Sequence, residues 1–126
     1  MSARFGPGRQ RESFPSPQVL PGRTGWIAQQ GLDCYEYQCG KGVHVGEDTA
    51  RKLGEKAREA GIALSVHAPY FINLANPDPE SRTKTTNYVL ESCFVAQVMG
   101  AERIVIHSGA LMKRSVGRRW TSPRRL

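Results

Sequence analysis

Two short apolar runs, residues 62–66 (IALSV) and 103–106 (RIVI), are each followed at once by a histidine, His67 and His107. Each run has the length and character of a parallel strand buried in a sheet. The segment between them carries helical signals, so the whole reads as a strand–helix–strand unit. No other feature limits the fold as much. Parallel neighbours need a crossover of about a dozen residues or more, and its helix must pack back on the sheet.

The alternation extends towards the N-terminus. Residues 32–40 (LDCYEYQCG) have the aromatic enrichment of a strand and stop at Gly40. Residues 47–60 predict a helix, with Ala50, Leu53, Ala57 and Ala60 at helical spacing, Glu47 and Asp48 at its start and Gly61 at its end. Gly54 inside it costs about 1 kcal/mol relative to alanine. Residues 26–30 read as the end of a shorter helix closed by Gly31. Asp78 before Pro79 has the form of an N-cap with proline at the first helical position. The helix it starts runs to about Met99, with Val89, Cys93, Ala96 and Val98 as its expected buried face and Gly100 as its stop. Near the N-terminus, RFGPG reads as a short first strand and a turn.

The strand starts at 32, 62 and 103 have the separations that βαβ units require. The expected fold class is α/β: roughly the first four units of a parallel (β/α)8 TIM barrel with outer helices, over residues 1–112. A complete barrel takes about 250 residues, and this chain has 126. The expectation is therefore the N-terminal half of such a domain.

The formal charge of +7 is unevenly spread. Residues 1–25 hold four arginines against one glutamate, residues 26–107 hold eight basic and ten acidic groups, and residues 108–126 hold six basic groups and no acid. The charge sits at the two ends, so it is weak evidence for nucleic-acid binding by the folded middle. Residues 113–126 have no apolar period and read as a basic tail, either disordered or the product of truncation or a shifted reading frame. No apolar run reaches the ~18 residues of a membrane span, and the first residues lack the apolar core of a secretory signal. Cys34, Cys39 and Cys93 show no C-x-x-C spacing. Free thiols in a cytoplasmic protein are the expectation, and nothing beside Cys39 suggests an activated thiolate.

His67 and His107 both fall at the C-terminal ends of predicted parallel strands, the edge at which α/β sheets and barrels bind ligands. On neighbouring strands about 4.8 Å apart, two neutral imidazoles form half of a metal site. Zinc takes nitrogen ligands and normally three or four of them from the protein. The other reading is that each imidazole caps its strand by bonding to nearby backbone. Glu36 is the one carboxylate inside residues 32–40. It is a candidate for the barrel mouth, or else a hydrogen-bonded, partly solvated side chain. His44 lies in an exposed loop. Asn73 falls in a long connection, residues 68–79, where asparagine commonly satisfies loop backbone.

The stretches SVHAPYFINLANPDPESR and GAERIVIHSGA resemble the motifs of endonuclease IV, the zinc-dependent apurinic/apyrimidinic endonuclease family of the xylose-isomerase-like barrels. GLDCYEYQCGKGVHV resembles the second-strand region of a bacterial branch. The likeness covers about residues 30–112, and its most specific part is H-x-x-Y-x-I-N-L from His67 to Leu74. It implies that His67 and His107 are metal ligands, that Tyr70 contacts DNA near the lesion, and that Asn73 lies in an element lining the DNA groove. It also implies a trinuclear zinc cluster, a metal-activated water attacking the phosphate 5′ to an abasic sugar, and abasic-site DNA as the partner of a monomer. The family's remaining ligands come from strands after the fourth, which this chain does not carry. The chain has His107-Ser108-Gly109-Ala110 where many relatives have His-Pro-Gly-Ser. The resemblance therefore implies an incomplete metal cluster and little or no activity for the chain alone. Two alternatives stand beside it: a metal-dependent sugar isomerase or epimerase on the same barrel, and an inactive basic fragment that binds nucleic acid through its tails.

Overall fold

The computed structural model describes residues 2–8 and 22–110. Its elements are α1 (Arg23–Gln29), β1 (Cys34–Gln38), α2 (Glu47–Ala60), β2 (Ala63–His67), α3 (Pro79–Met99) and β3 (Arg103–Val105). The three strands form one parallel sheet in the order β1-β2-β3. Cys34 pairs with Ala63 and Gln38 with His67; Ser65 pairs with Arg103 and His67 with Val105. This is the expected α/β arrangement, a part of a TIM barrel with helices on one side. The reading of residues 113–126 as a tail lies outside the described residues.

The core lies between the sheet and the helices. Ile27 of α1, Ala50, Leu53 and Ala57 of α2, and Val95, Ala96 and Met99 of α3 pack on Tyr35, Leu64 and Val66. Ile27, Leu53 and Val66 are completely buried, and each such side chain stabilises the fold by about 1.5–3 kcal/mol. Residue alternation sends Cys34, Glu36, Gln38, Ala63, Ser65 and His67 to the other face. None of these six is fully buried. Among the described residues only the helix side is covered, and the face that a closed barrel would enclose is open, as half a barrel implies.

The predicted first strand at RFGPG is not one. Residues 5–7 run alongside β1, with the Asp33 amide donating to Phe5 O at 2.8 Å and the Glu36 amide to Pro7 O at 3.1 Å. Two residues of this segment thus span three of β1, which breaks the regular ladder. The approach is close: a Cβ on Gly6 would lie 1.6 Å from the Cys34 carbonyl oxygen.

Helix boundaries follow their sequence signals. The Asp78 carboxylate accepts from the Ser81 amide at 2.8 Å, and Pro79 opens α3. Gly61 (φ 69°) and Gly100 (φ 71°) close α2 and α3 in the left-handed region. Gly54 is explained by packing, since a Cβ there would stand 2.3 Å from Met99 O. The glycine lets α3 come into backbone contact with α2. The expected buried face of α3 needs correction. Thr85, Ser92, Val95, Ala96 and Met99 are buried, whereas Cys93 is exposed and Val89 only half-buried. Apolar residues occupy several sides of this helix, so periodicity alone picks no single face. Ser92 is tolerated inside because its hydroxyl donates to Tyr88 O at 2.7 Å.

Candidate metal and ligand site

His67 closes β2, and His107 follows β3 by two residues, which keeps both side chains on the open face of the sheet. Their rings meet edge to face, with centroids 5.0 Å apart and planes at 77°. His67 Nδ1 lies 2.8 Å from Ala68 O. Since a carbonyl only accepts, Nδ1 carries the proton and Nε2 keeps its lone pair free for a ligand bond. The two readings of His67 are therefore compatible: the backbone bond that caps the strand also fixes the tautomer a metal ligand needs.

Three loops at this edge are joined through main chain. Ala68 N donates to Val105 O at 2.9 Å, Tyr70 N to Gly40 O at 3.2 Å and Leu74 N to Ser108 O at 3.2 Å. Asn73 adds a side-chain clamp. Its Oδ1 accepts from Ala75 N at 3.0 Å and Ala110 N at 3.2 Å, and its Nδ2 donates to Ala110 O at 3.3 Å. The amide thus ties the loop after β2 to the one after β3, beside His107. Tyr70 and Phe71 stand 56% and 41% exposed. They form an edge-to-face series with Tyr88, at 5.8 and 4.9 Å between successive ring centroids.

A cavity of about 700 Å³ wraps over this edge. His67 and Gln38 reach it from the open side of the sheet, Tyr35 and Tyr37 from the helix side, and Tyr70 and Lys41 from the loops. Arg23 of α1 lies in its wall, only 9% exposed, and donates from Nη1 to Tyr35 Oη at 3.0 Å. Burial pushes the Tyr37 hydroxyl's pKa up, with Cys39 and Tyr35 adding to the rise and the Arg23 charge opposing it.

Glu36 lies two residues before Gln38, in the same register as Ser65 and Arg103, so it sits one layer below His67 rather than beside it. Its Oε1 accepts from Gln38 Nε2 at 3.3 Å. His44 is exposed on its loop. Cys39 is buried, and burial pushes its thiol up, opposed by a bond to Ser92, so it is not an activated thiolate. Sequence reasoning missed Arg23, which looked like one more cation of a basic N-terminal stretch. It also missed Gln38, the residue in register with His67. The pairing was available from strand alternation once β1 and β2 were aligned, but the inward turn of Arg23 was not.

Two imidazoles suit zinc's preference for nitrogen, and the free Nε2 of His67 suits a ligand bond. Among the described residues no group of three or more His, Cys, Asp or Glu side chains converges to hold an ion. His67 and His107 are the pair of imidazoles that the described residues bring together at this edge. No helix among them is long and apolar enough to cross a membrane.

Residues 25–124 match the family described as "Xylose isomerase-like TIM barrel". A "Probable endonuclease 4" of Acholeplasma laidlawii is 41% identical over 56 residues, which are 42% of this chain and 19% of that protein. A "Probable endonuclease 4" of Latilactobacillus sakei is 28% identical over 105 residues, 78% of this chain and 35% of that protein. The chain thus spans about a third or less of the length of these curated relatives. Among solved structures, a D-tagatose 3-epimerase-like protein superposes with a TM-score of 0.61 at 22% identity, covering 71% of this chain and 34% of that one. D-psicose 3-epimerase of Clostridium cellulolyticum H10 gives 0.60 at 19% identity, covering 70% and 31%. At such identities the structural likeness speaks to fold alone.

Proposed function

The chain belongs to the xylose isomerase-like TIM barrel family, and from that premise we propose that it is part of a zinc-dependent endonuclease of the endonuclease 4 type, acting on DNA with abasic sites. The observation that carries this reading is the pair His67 and His107, edge to face at the ligand-binding end of adjacent strands. The sequence likeness to proteins named probable endonuclease 4 supports it. When bound, zinc supplies an activated water and neutralises charge at phosphorus. His67 holds Nε2 out by anchoring Nδ1–H on Ala68 O. His107 provides the second nitrogen. Tyr70, more than half exposed and lining the same cavity as His67, contacts DNA near the lesion. Asn73, in the element that borders the DNA groove, holds the two mouth loops in register. Glu36 contributes a carboxylate to the inner face one layer down.

The test uses the 126-residue chain. Zinc affinity is measured by competition with a chromophoric chelator, and DNA binding by fluorescence anisotropy with abasic and intact duplexes. The reading expects zinc binding that falls by about tenfold or more in His67→Ala and in His107→Ala. It also expects a preference for the abasic duplex that Tyr70→Ala removes. Zinc binding indifferent to both histidine substitutions would sink it. A second reading, a sugar epimerase, is favoured by the fold likeness to the two epimerase structures. Metal-dependent conversion of D-tagatose with no preference for abasic DNA would place it ahead.

A further inference from the structure

We propose that Arg23 and Lys41 form an anion subsite, which takes a phosphate group into the cavity beside His67. Arg23 is the starting point. It is 9% exposed, yet every ion pair among the described residues lies elsewhere: Arg51 with Glu47 and Asp48, and Lys56 with Glu59. A buried cation without a counter-charge is costly. Among the described residues its guanidinium donates to Tyr35 Oη, a neutral acceptor. The rest of the guanidinium's donors form a planar fork suited to the paired oxygens of a phosphate.

The surroundings agree. Lys41, exposed on the loop after β1, adds a second cation to the same cavity. No carboxylate lines it among the described residues. Glu36 is turned to Gln38. The Tyr37 hydroxyl is a further donor on the cavity wall. Gln38 also lines the cavity, with one of its two amide N–H groups donating to Glu36. Donors thus line one cavity from the helix side, the sheet edge and a loop, and a tetrahedral oxyanion presents acceptors in several directions at once, which a planar carboxylate does not. A volume of about 700 Å³ leaves room for more than the phosphate alone. The group that carries it is a nucleic-acid backbone or a phosphorylated sugar.

This extends the proposed site and rests on that reading only for its location, since phosphate recognition here needs no metal. The experiment is a zinc-free titration of the full chain with inorganic phosphate, a short single-stranded oligonucleotide and D-fructose 6-phosphate. Binding is followed by thermal melting and calorimetry against sodium chloride of equal ionic strength. Phosphate raises the melting temperature of the wild type in a saturable way. Arg23→Gln weakens phosphate binding by about tenfold or more; Arg23→Lys, which keeps charge but loses the fork, is also weaker. Lys41→Gln, at an exposed position that leaves folding intact, weakens it by a smaller factor. Tighter binding of the oligonucleotide assigns the phosphate to nucleic acid; tighter binding of the sugar phosphate assigns it to a metabolite. No saturable stabilisation of the wild type beyond the chloride control overturns the subsite, as does phosphate binding indifferent to both Arg23→Lys and Lys41→Gln. Either result leaves the zinc titration, run without phosphate, to decide the metal site separately.

Discussion

Asn73 shows how a residue at the site acts through others. Its side chain spends its oxygen on the Ala75 and Ala110 amides and one N–H on the Ala110 carbonyl. Asn73→Ala leaves these loop groups to water and releases the segment that carries His107. The expected outcome is a zinc affinity lower by about tenfold with melting nearly unchanged, read by chelator competition beside a thermal melt. Asn73→Asp keeps the acceptor and retains more of the affinity. The histidines themselves were legible from sequence, because a strand end followed by a polar loop is a local pattern. Asn73's partners were not: Ala110 is thirty-seven residues away, and only the parallel pairing of β2 with β3 brings it near. Arg23 was harder still, since an arginine's inward turn depends on a tyrosine hydroxyl supplied by another element.

At the scale of elements, caps and stops were the most readable features. Asp78, Pro79, Gly61 and Gly100 act where local rules place them. The Asp78 carboxyl is held below its ordinary range by the Ser81 hydroxyl and amide. A carboxyl whose folded pKa is depressed contributes stability above its unfolded pKa, and loses it as pH falls through the folded value. Asp78→Ala therefore lowers the melting temperature by a few degrees at neutral pH, and the gap from wild type closes in acid; parallel melts across pH read it directly. Gly54 teaches the opposite lesson. Helix propensity alone recommends alanine there by about 1 kcal/mol, but the Met99 backbone occupies the space a Cβ would need. Gly54→Ala must separate α2 from α3, and a net loss of about 1–3 kcal/mol is expected in urea denaturation. Stability equal to or above wild type would mean the helices yield freely. The face of α3 was misread because Leu90 and Phe94, 61% and 52% exposed, are as apolar as its buried residues.

For the whole molecule, stability is concentrated on one side of the sheet. β2 has partners on both edges and the completely buried Val66, whereas β3 is three residues long and has no buried residue. Amide hydrogen exchange should show the β2 amides that pair with β1, Ser65 and His67, as the slowest and the β3 amides faster by about tenfold or more. Uniform protection across the sheet would contradict a one-sided core. The barrel topology was legible because it follows from the spacing of strands and helices, and the open inner face follows from a chain with only part of a barrel's strands; alternation then says which residues share that face. The main-chain bonds among the mouth loops carry a further consequence. Ala68, Tyr70 and Leu74 hold their neighbours through backbone amides, so the scaffold of the mouth asks little of the side chains at 70 and 74. Those positions are free to drift or be randomised while the frame beneath stays intact, which makes this rim a chassis on which new specificities can be selected.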